Sequence, residues 1–260
     1  MTLTKQKQIE DFIIRNQIDI LHCQEINIDQ ESFSQCYFIE AYNYIIDYNA
    51  LNKYGTATLV KNTLTAENIR FDTLGRSIFF NIEDITLGNV YLQSGTDGIS
   101  RGARESYCSE TLPQLLTNRK PNGVVGGDLN CITKKIDCTH NPESKQSPSL
   151  ARLVNTFDLL DSYRAIHPHS KTFSRYYSGA GGYVGASRID WSYHWGNVAI
   201  EEASYISVAF LDHFAFSIKI SLPILSKILP PQCRPLFKIS PEVVHDREFK
   251  ARLETEMVVW

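Results

Sequence analysis

The stretch VVGGDLNCI, from Val124 to Ile132, decides the fold of this chain. A predicted buried strand of apolar and small residues runs directly into Asp128 and Asn130. Because side chains alternate across a strand, this spacing predicts that Asp128 and Asn130 share one face while Leu129 takes the other. A carboxylate at the rim of a core is tolerated only where another group pairs with it, so the stretch predicts a polar site at a sheet edge.

The bulk composition is that of an ordinary globular protein. A chain of 260 residues is long enough for one large domain or two small ones, and a single all-β or α/β domain of this size could bury about 70–75% of its unfolded surface. The formal net charge of -3 gives no global basic field, so tight non-specific binding of nucleic acid is not predicted, although a local basic groove is compatible with it. The six cysteines contain no CxxC pair and MTLTKQKQ lacks the apolar core of a secretory signal, so we expect reduced thiols in an intracellular protein.

Two local features raise other possibilities. Cys131, Cys138 and His140 lie close in sequence, but they lack the paired spacing of a zinc site, which favours an ordinary loop. The apolar run VAFLDHFAFSIKISLPIL is interrupted by an Asp–His pair and a lysine, which argues against a membrane span.

Short strands dominate the predicted secondary structure. An amphipathic helix is predicted from Thr4 to Asn16, and two further helices near residues 101–116 and 148–160. The predicted strands are IDILHCQEI, YNYIIDY, GTATLVKN, RSIFFNIEDI, GNVYLQS, VVGGDLN, KTFSRYY, SRIDWSYHW, ASYISVA and HFAFSIKISL. Many strands with few helices predict two packed sheets with helices outside, because each sheet must cover its apolar face. Prolines then punctuate the chain after residue 222, and residues 223–260 are predicted to form a linker and the start of a helical segment.

Unusual polar residues end several of these strands. Glu25 ends one, Asp128 and Asn130 end another, and Asp190 and the pair Asp212–His213 lie at two more. Each has an ordinary interpretation: Glu25 as a surface acid, Asp190 as an ion-pair partner of Arg188, and His213 as a core histidine. Together they suit a hard divalent cation and a phosphate held at one sheet edge, because Mg²⁺ prefers oxygen ligands.

The order QE, GDLN, SRIDW and a late DH resembles the endonuclease/exonuclease/phosphatase superfamily. The narrower resemblance is to the apurinic-type endonuclease domain of a non-LTR (LINE-type) retrotransposon polyprotein. It implies an α+β, deoxyribonuclease I-like fold, a four-layer α/β/β/α sandwich, over residues 1–222, with 223–260 leading toward a reverse transcriptase. Family members begin with a strand before the first helix, whereas this chain begins almost directly on the helix, so a truncated gene model or fragment is expected. As a second departure, Ser94 stands where the family usually has an Asn.

The resemblance also implies residue roles. Glu25 matches a metal-ligand acid, and Asp212 an acid that contributes to the metal site. Asp128 matches the acid that orients or deprotonates the attacking water, and Asn130 the amide that contacts the scissile phosphate. The remaining matches are Asp190, which orients a histidine, His213, which is that histidine, and Tyr91, which lines the phosphate site.

The implied reaction is the nicking of double-stranded DNA with Mg²⁺, for which Mn²⁺ could substitute. The residues predicted to contact DNA are Lys134, Lys135, Arg101, Arg104 and Arg175. The resemblance implies a monomer that acts in the nucleus and has no membrane contact, as part of a larger polyprotein with reverse transcriptase. Two alternatives stay open: a decayed or truncated domain without activity, and a superfamily phosphatase that acts on small phosphoesters.

Overall fold

The structure is a computed structural model that describes residues 3–26, 39–47, 55–178 and 184–221. The segment 223–260, predicted to be a linker and a helix, lies outside these residues. In the part of the chain that the structure covers, no helix is both long and apolar enough to cross a membrane.

Thirteen strands are present in the described residues. They are β1 (Ile20–Cys23), β2 (Tyr42–Ile46), β3 (Ala57–Lys61), β4 (Glu67–Phe71), β5 (Ser77–Ile82), β6 (Ile85–Tyr91), β7 (Asn122–Asp128), β8 (Leu160–Asp161), β9 (Arg175–Ser178), β10 (Val184–Ser187), β11 (Asp190–Trp195), β12 (Ala199–Ile206) and β13 (Ala215–Ser221). All ten predicted strands are found, whereas β4, β8 and β10 were not predicted. β4 escaped prediction because its ENIRF sequence is polar, and the structure places it at an exposed sheet edge.

The helices are few and mostly short. They are α1 (Leu3–Arg15), α2 (Gly98–Ser106), α3 (Leu112–Thr117), α4 (Pro142–Lys145), α5 (Pro148–Thr156) and α6 (Ser162–Ile166). A π-helical turn, Tyr107–Thr111, joins α2 to α3, so the helix predicted near residues 101–116 is interrupted rather than regular. Ser147 begins α5 by accepting a hydrogen bond from the Leu150 backbone N–H, as an N-cap residue does.

Four layers stack in the order predicted for an α/β/β/α sandwich. α1 buries Ile13 against Leu59 of a three-stranded sheet, whose order is β1-β3-β2. A second apolar cluster joins Val60 of that sheet to Phe80 and Val124 of a six-stranded sheet. A third cluster packs α3, α5 and the turn at Tyr107 and Cys108 on the other face of the six-stranded sheet. The predicted fold class is therefore confirmed, while the predicted absence of an initial strand stays a prediction.

The six-stranded sheet determines where the site forms. Its order is β4-β5-β6-β7-β11-β8, and only the β6–β7 pair is parallel. Parallel pairing brings the carboxyl ends of β6 and β7 to the same edge, where Tyr91 is the register partner of Asp128. The antiparallel strand β11 begins at that edge, so Asp190 is the partner of Asp128 on the other side. One row of the sheet thus aligns three residues that are far apart in sequence.

The two glycines before Asp128 allow this close strand pairing. At Gly127 the backbone has φ +143°, and a Cβ there would lie 2.0 Å from the Val90 carbonyl oxygen of β6. At Gly126 a Cβ would lie 2.7 Å from the Trp191 carbonyl oxygen of β11. Any larger residue would push β7 away from its neighbours, so the GG of the opening stretch serves to hold Asp128 in the row.

Candidate active site

A tight turn, and not strand alternation, brings Asn130 to Asp128. Strand β7 ends at Asp128, and Asn130 has a left-handed backbone with φ +49°. The Asn130 backbone N–H donates to Asp128 Oδ1 (2.9 Å), and its side-chain Nδ2 donates to Asp128 Oδ2 (3.1 Å). Nδ2 also donates to the Leu92 carbonyl oxygen (3.0 Å) beyond the end of β6. The two side chains meet, but the prediction that they share one face of a strand was wrong: the strand ends at Asp128, and Asn130 adopts the left-handed conformation that Asn tolerates.

Asp190 and His213 form a hydrogen-bonded pair beside Asp128. His213 Nδ1 lies 3.0 and 3.2 Å from the two Asp190 carboxylate oxygens. Ligand atoms of Asp128, Asp190 and His213 all lie within 4.8 Å of one another, and this is the one such group of three or more ligating side chains among the described residues. The interpretation of Asp190 as the ion-pair partner of Arg188 is wrong, since the carboxylate faces the imidazole.

Ser174 is a buried residue that the sequence did not nominate. Its Oγ accepts hydrogen bonds from the backbone N–H groups of Ile189 (3.0 Å) and Asp190 (3.1 Å). Its carbonyl oxygen accepts from the Phe214 N–H (2.7 Å), directly after His213. Ser174 therefore holds the backbones of both members of the Asp190–His213 pair. The only signal in the sequence was its place in the KTFSR passage.

Glu25 approaches the same edge from the three-stranded sheet. It follows β1 with a left-handed backbone, φ +53°, and its Oε1 accepts a hydrogen bond from the Tyr91 hydroxyl. Asn89, also not nominated by the sequence, holds the backbone segment that leads from β1 to Glu25. Its Nδ2 donates to the carbonyl oxygens of Cys23 (3.1 Å) and Ala57 (2.9 Å), and its Oδ1 accepts from Gln24 Nε2 (2.6 Å). A fully buried amide thus ties the two sheets together just behind the site.

The electrostatics of the site show an excess of negative charge. Burial and, next, the nearby charge of Asp190 raise the pKa of Asp128 to about 8, against the lowering effect of His213. Burial alone would lower the pKa of His213, but the hydrogen bond to Asp190 and the charges of Asp190 and Asp128 raise it overall. Burial and the hydrogen bond to Glu25 raise the pKa of Tyr91, which keeps its hydroxyl protonated.

A hard cation suits this donor set. Two carboxylates, Asp128 and Asp190, converge with the His213 imidazole, and burial and the charge of Asp190 raise the pKa of Asp128. Carboxylate oxygens are the ligands that Mg²⁺ and Mn²⁺ prefer. Glu25 is outside the group whose ligand atoms lie within 4.8 Å, so it contacts the site through Tyr91.

Asp212 does not join the site as predicted. Its side chain is 80% exposed, and it lies 3.6 Å from the guanidinium of Arg175 in a surface ion pair. Adjacent residues on an extended segment point in opposite directions, so His213 faces the site and Asp212 faces solvent. Its predicted role as a metal contributor does not fit this placement.

The residues predicted to contact DNA divide into three kinds. Arg104 is 4% exposed and donates through Nη1 to the carbonyl oxygens of Gln93 (2.6 Å) and Gly95 (2.7 Å), so its guanidinium holds a loop and is not free to meet a phosphate. Arg175 and Lys135 form surface ion pairs, the latter with Glu143 at 2.7 Å. Arg101 and Lys134 are exposed, and their predicted DNA contact stays a prediction.

The cysteines and His140 form no metal site in the described residues. Cys138 Sγ instead donates to the backbone carbonyl oxygen of His140 (3.0 Å), and Cys131 is buried in the apolar cluster under the helices.

Comparisons with known proteins were made on both sequence and structure. No protein-family model and no curated protein matches the sequence. The fold is similar to that of the 3′-5′ exonuclease NExo from Neisseria meningitidis, with a TM-score of 0.67 and 19% identity over 84% of this chain and 95% of that one. It is also similar to the 3′ phosphatase NExo from Neisseria bound to product DNA hairpin (TM-score 0.66, 17% identity, 84% and 95% covered).

An AP endonuclease from Archaeoglobus fulgidus is similar as well, with a TM-score of 0.62 and 17% identity over 82% of this chain and 92% of that one. These solved structures belong to the endonuclease/exonuclease/phosphatase superfamily, and this chain has their deoxyribonuclease I-like fold. At such low identities the likeness establishes the fold, and the chemistry must be argued from the site.

Proposed function

We propose that this protein is a metal-dependent phosphodiesterase that nicks one strand of double-stranded DNA. The observation that carries the proposal is the convergence of Asp128, Asp190 and His213 within 4.8 Å at one sheet edge, beside Asn130 and the Tyr91–Glu25 pair. Folding alone does not require a buried carboxylate with a raised pKa, and such groups cluster at functional sites. The DNA substrate is supported by what the structural neighbours are said to bind and cut.

Asp128 is the proposed base for the attacking water. A carboxylate with a raised pKa is a better proton acceptor at neutral pH than an ordinary aspartate. The two hydrogen bonds from Asn130 fix its orientation, and the Asn130 amide would donate to a phosphate oxygen by giving up its bond to Asp128 Oδ2 or to the Leu92 carbonyl oxygen. Asp128 and Asn130 therefore act as one unit, with a proton acceptor for the water and a donor for the phosphate.

His213 is the proposed cationic partner of the phosphate. Asp190 occupies Nδ1, which leaves Nε2 to meet an anionic oxygen, and the raised pKa of the imidazole favours its charged form. A hydrogen bond from a cation stabilises the charge that develops on the non-bridging oxygens in the transition state. This arrangement resembles other acid–histidine pairs, in which the acid fixes the tautomer.

Glu25, supported by the Tyr91 hydroxyl, is the carboxylate best placed to hold the divalent cation. Asp190 is committed to His213 and Asp128 to Asn130, whereas within the described residues Glu25 accepts one hydrogen bond, from Tyr91. The cation would supply charge stabilisation at the phosphate and the leaving oxygen. We further propose that the nick leaves a 3′-hydroxyl that primes reverse transcription, as the resemblance to LINE-type proteins implies, and that the protein acts in the nucleus.

A 3′ phosphatase is the second candidate, because one structural neighbour is described as such. The same residues would serve either reaction, since both break a phosphoester. The two functions differ in whether an internal phosphodiester or a terminal phosphate is hydrolysed, so a 3′-phosphorylated oligonucleotide distinguishes them.

The decisive experiment is nicking of supercoiled plasmid with Mg²⁺ by the wild-type chain and by Asp128→Ala. We expect nicking by the wild type and none by Asp128→Ala. The matched control is Asp84→Ala, which removes an exposed acid at the opposite end of β6 and should nick normally. The proposal is refuted if Asp128→Ala nicks as well as Asp84→Ala does, or if the wild type does not nick. Release of phosphate from the 3′-phosphorylated oligonucleotide without plasmid nicking would favour the phosphatase.

A further inference from the structure

Tyr205 is a residue of β12 whose hydroxyl the proposed chemistry does not use. The hydroxyl donates a hydrogen bond to the backbone carbonyl oxygen of Asp190 (2.8 Å). Asp190 begins β11 of the six-stranded sheet, whereas β12 pairs with β13 in a separate two-stranded sheet. The bond therefore joins two sheets at the residue that contacts the proposed phosphate-binding histidine.

The start of β11 lacks a neighbouring strand on one side. β7 pairs with β11 as far as Asp190, but on the other edge the short β8 pairs only with Tyr193 and His194. A backbone N–H or C=O group that is shielded from water needs another hydrogen-bond partner. At Asp190 two side chains supply these partners. Ser174 Oγ accepts from the N–H group (3.1 Å), and the Tyr205 hydroxyl donates to the carbonyl oxygen.

Tyr205 also belongs to the hairpin into which His213 leads. In the pairing of β12 with β13 it is the register partner of Phe216, three residues after His213. Across the two sheets, His213 Nδ1 lies 3.0 and 3.2 Å from the two Asp190 carboxylate oxygens. Catalytic groups must be held within about 0.5 Å of their productive geometry, so a small shift between the sheets would disturb this pair. The bond from Tyr205 opposes such a shift.

The Tyr205 side chain is itself held in place by packing. The centre of its ring lies 5.1 Å from that of Tyr163 and 4.9 Å from that of Phe216, in tilted contacts that aromatic pairs favour. Burial raises the pKa of the Tyr205 hydroxyl, against the lowering effect of the Arg188 charge, so the hydroxyl keeps its proton. Tyr205 is therefore a fixed hydrogen-bond donor.

We propose that Tyr205 is a positioning residue: its hydroxyl fixes the Asp190 backbone so that the Asp190 carboxylate keeps His213 oriented toward the phosphate. This inference rests on the proposed nuclease function and adds a residue that touches neither the substrate nor the cation. A bond that only held the sheets together would lower stability when removed and leave the imidazole as it was. The test must therefore observe the imidazole directly.

The test is Tyr205→Phe, which removes the hydroxyl and keeps the ring. The first measurement is the NMR resonance of the His213 Nδ1 proton, which is identified by its loss in His213→Ala and reports the hydrogen bond to Asp190. We expect this resonance to move upfield in Tyr205→Phe, because the hydrogen bond becomes longer. The second measurement is nicking of a duplex oligonucleotide with Mg²⁺. We expect kcat to fall about tenfold and KM to change by less than about twofold, because alignment matters most in the transition state.

The matched control is Tyr163→Phe, in the same aromatic cluster. The Tyr163 hydroxyl donates to Thr172 Oγ1 (2.8 Å) and contacts Ser170 Oγ (3.1 Å), so this variant also loses hydrogen bonds while Asp190 keeps its own. Both variants should unfold at similar temperatures, slightly below that of the wild type. Only Tyr205→Phe should change the histidine resonance and kcat.

The positioning role is refuted if Tyr205→Phe matches Tyr163→Phe in either the His213 resonance or kcat. Nicking by the wild type would leave the nuclease function standing in that case. If the wild type does not nick, the nuclease function is refuted. A shift of the resonance in Tyr205→Phe alone would then still support the role of Tyr205 in orienting His213.

Discussion

Two clusters of charged residues lie near each other in this protein, and they differ in how their charges are paired. The site cluster holds Glu25, Asp128 and Asp190 against one histidine. The second cluster surrounds Arg188, two residues before Asp190, and pairs two arginines with two aspartates.

The charges of the Arg188 cluster are paired with one another, although the buried atoms Asp137 Oδ2 and Arg164 Nε form no hydrogen bond within the described residues. Arg188 Nε donates to Asp137 Oδ1 (2.9 Å), and its Nη1 and Nη2 donate to the two Asp161 oxygens (3.1 and 2.6 Å). Arg164 also contacts Asp137, and the Arg188 guanidinium carbon stacks 3.7 Å from the centre of the Trp191 ring. Burial would lower the pKa of Arg188, but Asp161 and Asp137 raise it overall.

The difference teaches how to separate structural charges from functional ones in this fold. Paired and multiply bonded charges hold elements together, here the loop at Asp137, β8 and β11. In the site cluster, burial and the charge of Asp190 raise the pKa of Asp128, and such perturbed carboxylates are typical of functional sites.

The largest expected change in the free energy of unfolding comes from removing Arg188 from its cluster. Arg188→Met leaves Asp137 and Asp161 buried without their main partner, and removing one member of a buried ion pair typically costs about 3–5 kcal/mol. We expect a loss of that order in the free energy of unfolding, measured by urea denaturation. Arg152→Met, on an exposed arginine, is the control and should be near neutral. A loss below about 1 kcal/mol would mean that the cluster is not structural.

A change in the site should affect rate and leave stability nearly intact. His213→Ala should lower the rate of plasmid nicking by about 10²–10³-fold, because it removes a charged donor to the phosphate. The raised pKa of His213 means that its charged form is lost only as pH rises through that raised value, so wild-type nicking should decline on the alkaline side. His169→Ala, which removes an exposed histidine, is the control; an unchanged rate in His213→Ala would contradict the proposed role.

The smallest expected effect is a gain in the free energy of unfolding rather than a loss. The pKa of Asp128 is about 8 in the folded state against an ordinary 3.8, so the folded state binds this proton more tightly and loses stability as pH rises from about 4 through 8. Without divalent cation, Asp128→Asn should therefore be more stable than the wild type at pH 8 by about 1–2 kcal/mol, with a gain that shrinks toward pH 5. The measurement is urea denaturation with chelator at both pH values.

Asp84→Asn is the control for that experiment, because its exposed carboxylate should leave stability unchanged. If Asp128→Asn is less stable than the wild type at pH 8, the site cluster is held by its charges in the same way as the Arg188 cluster. The comparison between the two clusters would then fail.

Much of the fold was predictable because each sheet carries its own local signature. The alternating and β-branched runs gave ten of the described strands, and the excess of strands over helices gave the four layers. β4 was not predictable from pattern, since an exposed edge strand needs no apolar face. The short β8 and β10 have four residues or fewer, which is too little for a periodic pattern to emerge.

The sequence by itself determined which chemical groups this protein possesses. They are Asp128 and Asn130 after a pair of glycines, Asp190 in the SRIDW motif, and His213 before the last described strand. Residue types are local, so their chemistry can be predicted from a single chain. Only the tertiary structure decided which partners they have, because partners come from distant strands. Register aligned Tyr91, Asp128 and Asp190, a left-handed turn brought back Asn130, and burial turned Arg104 inward while Asp212 stayed in solvent.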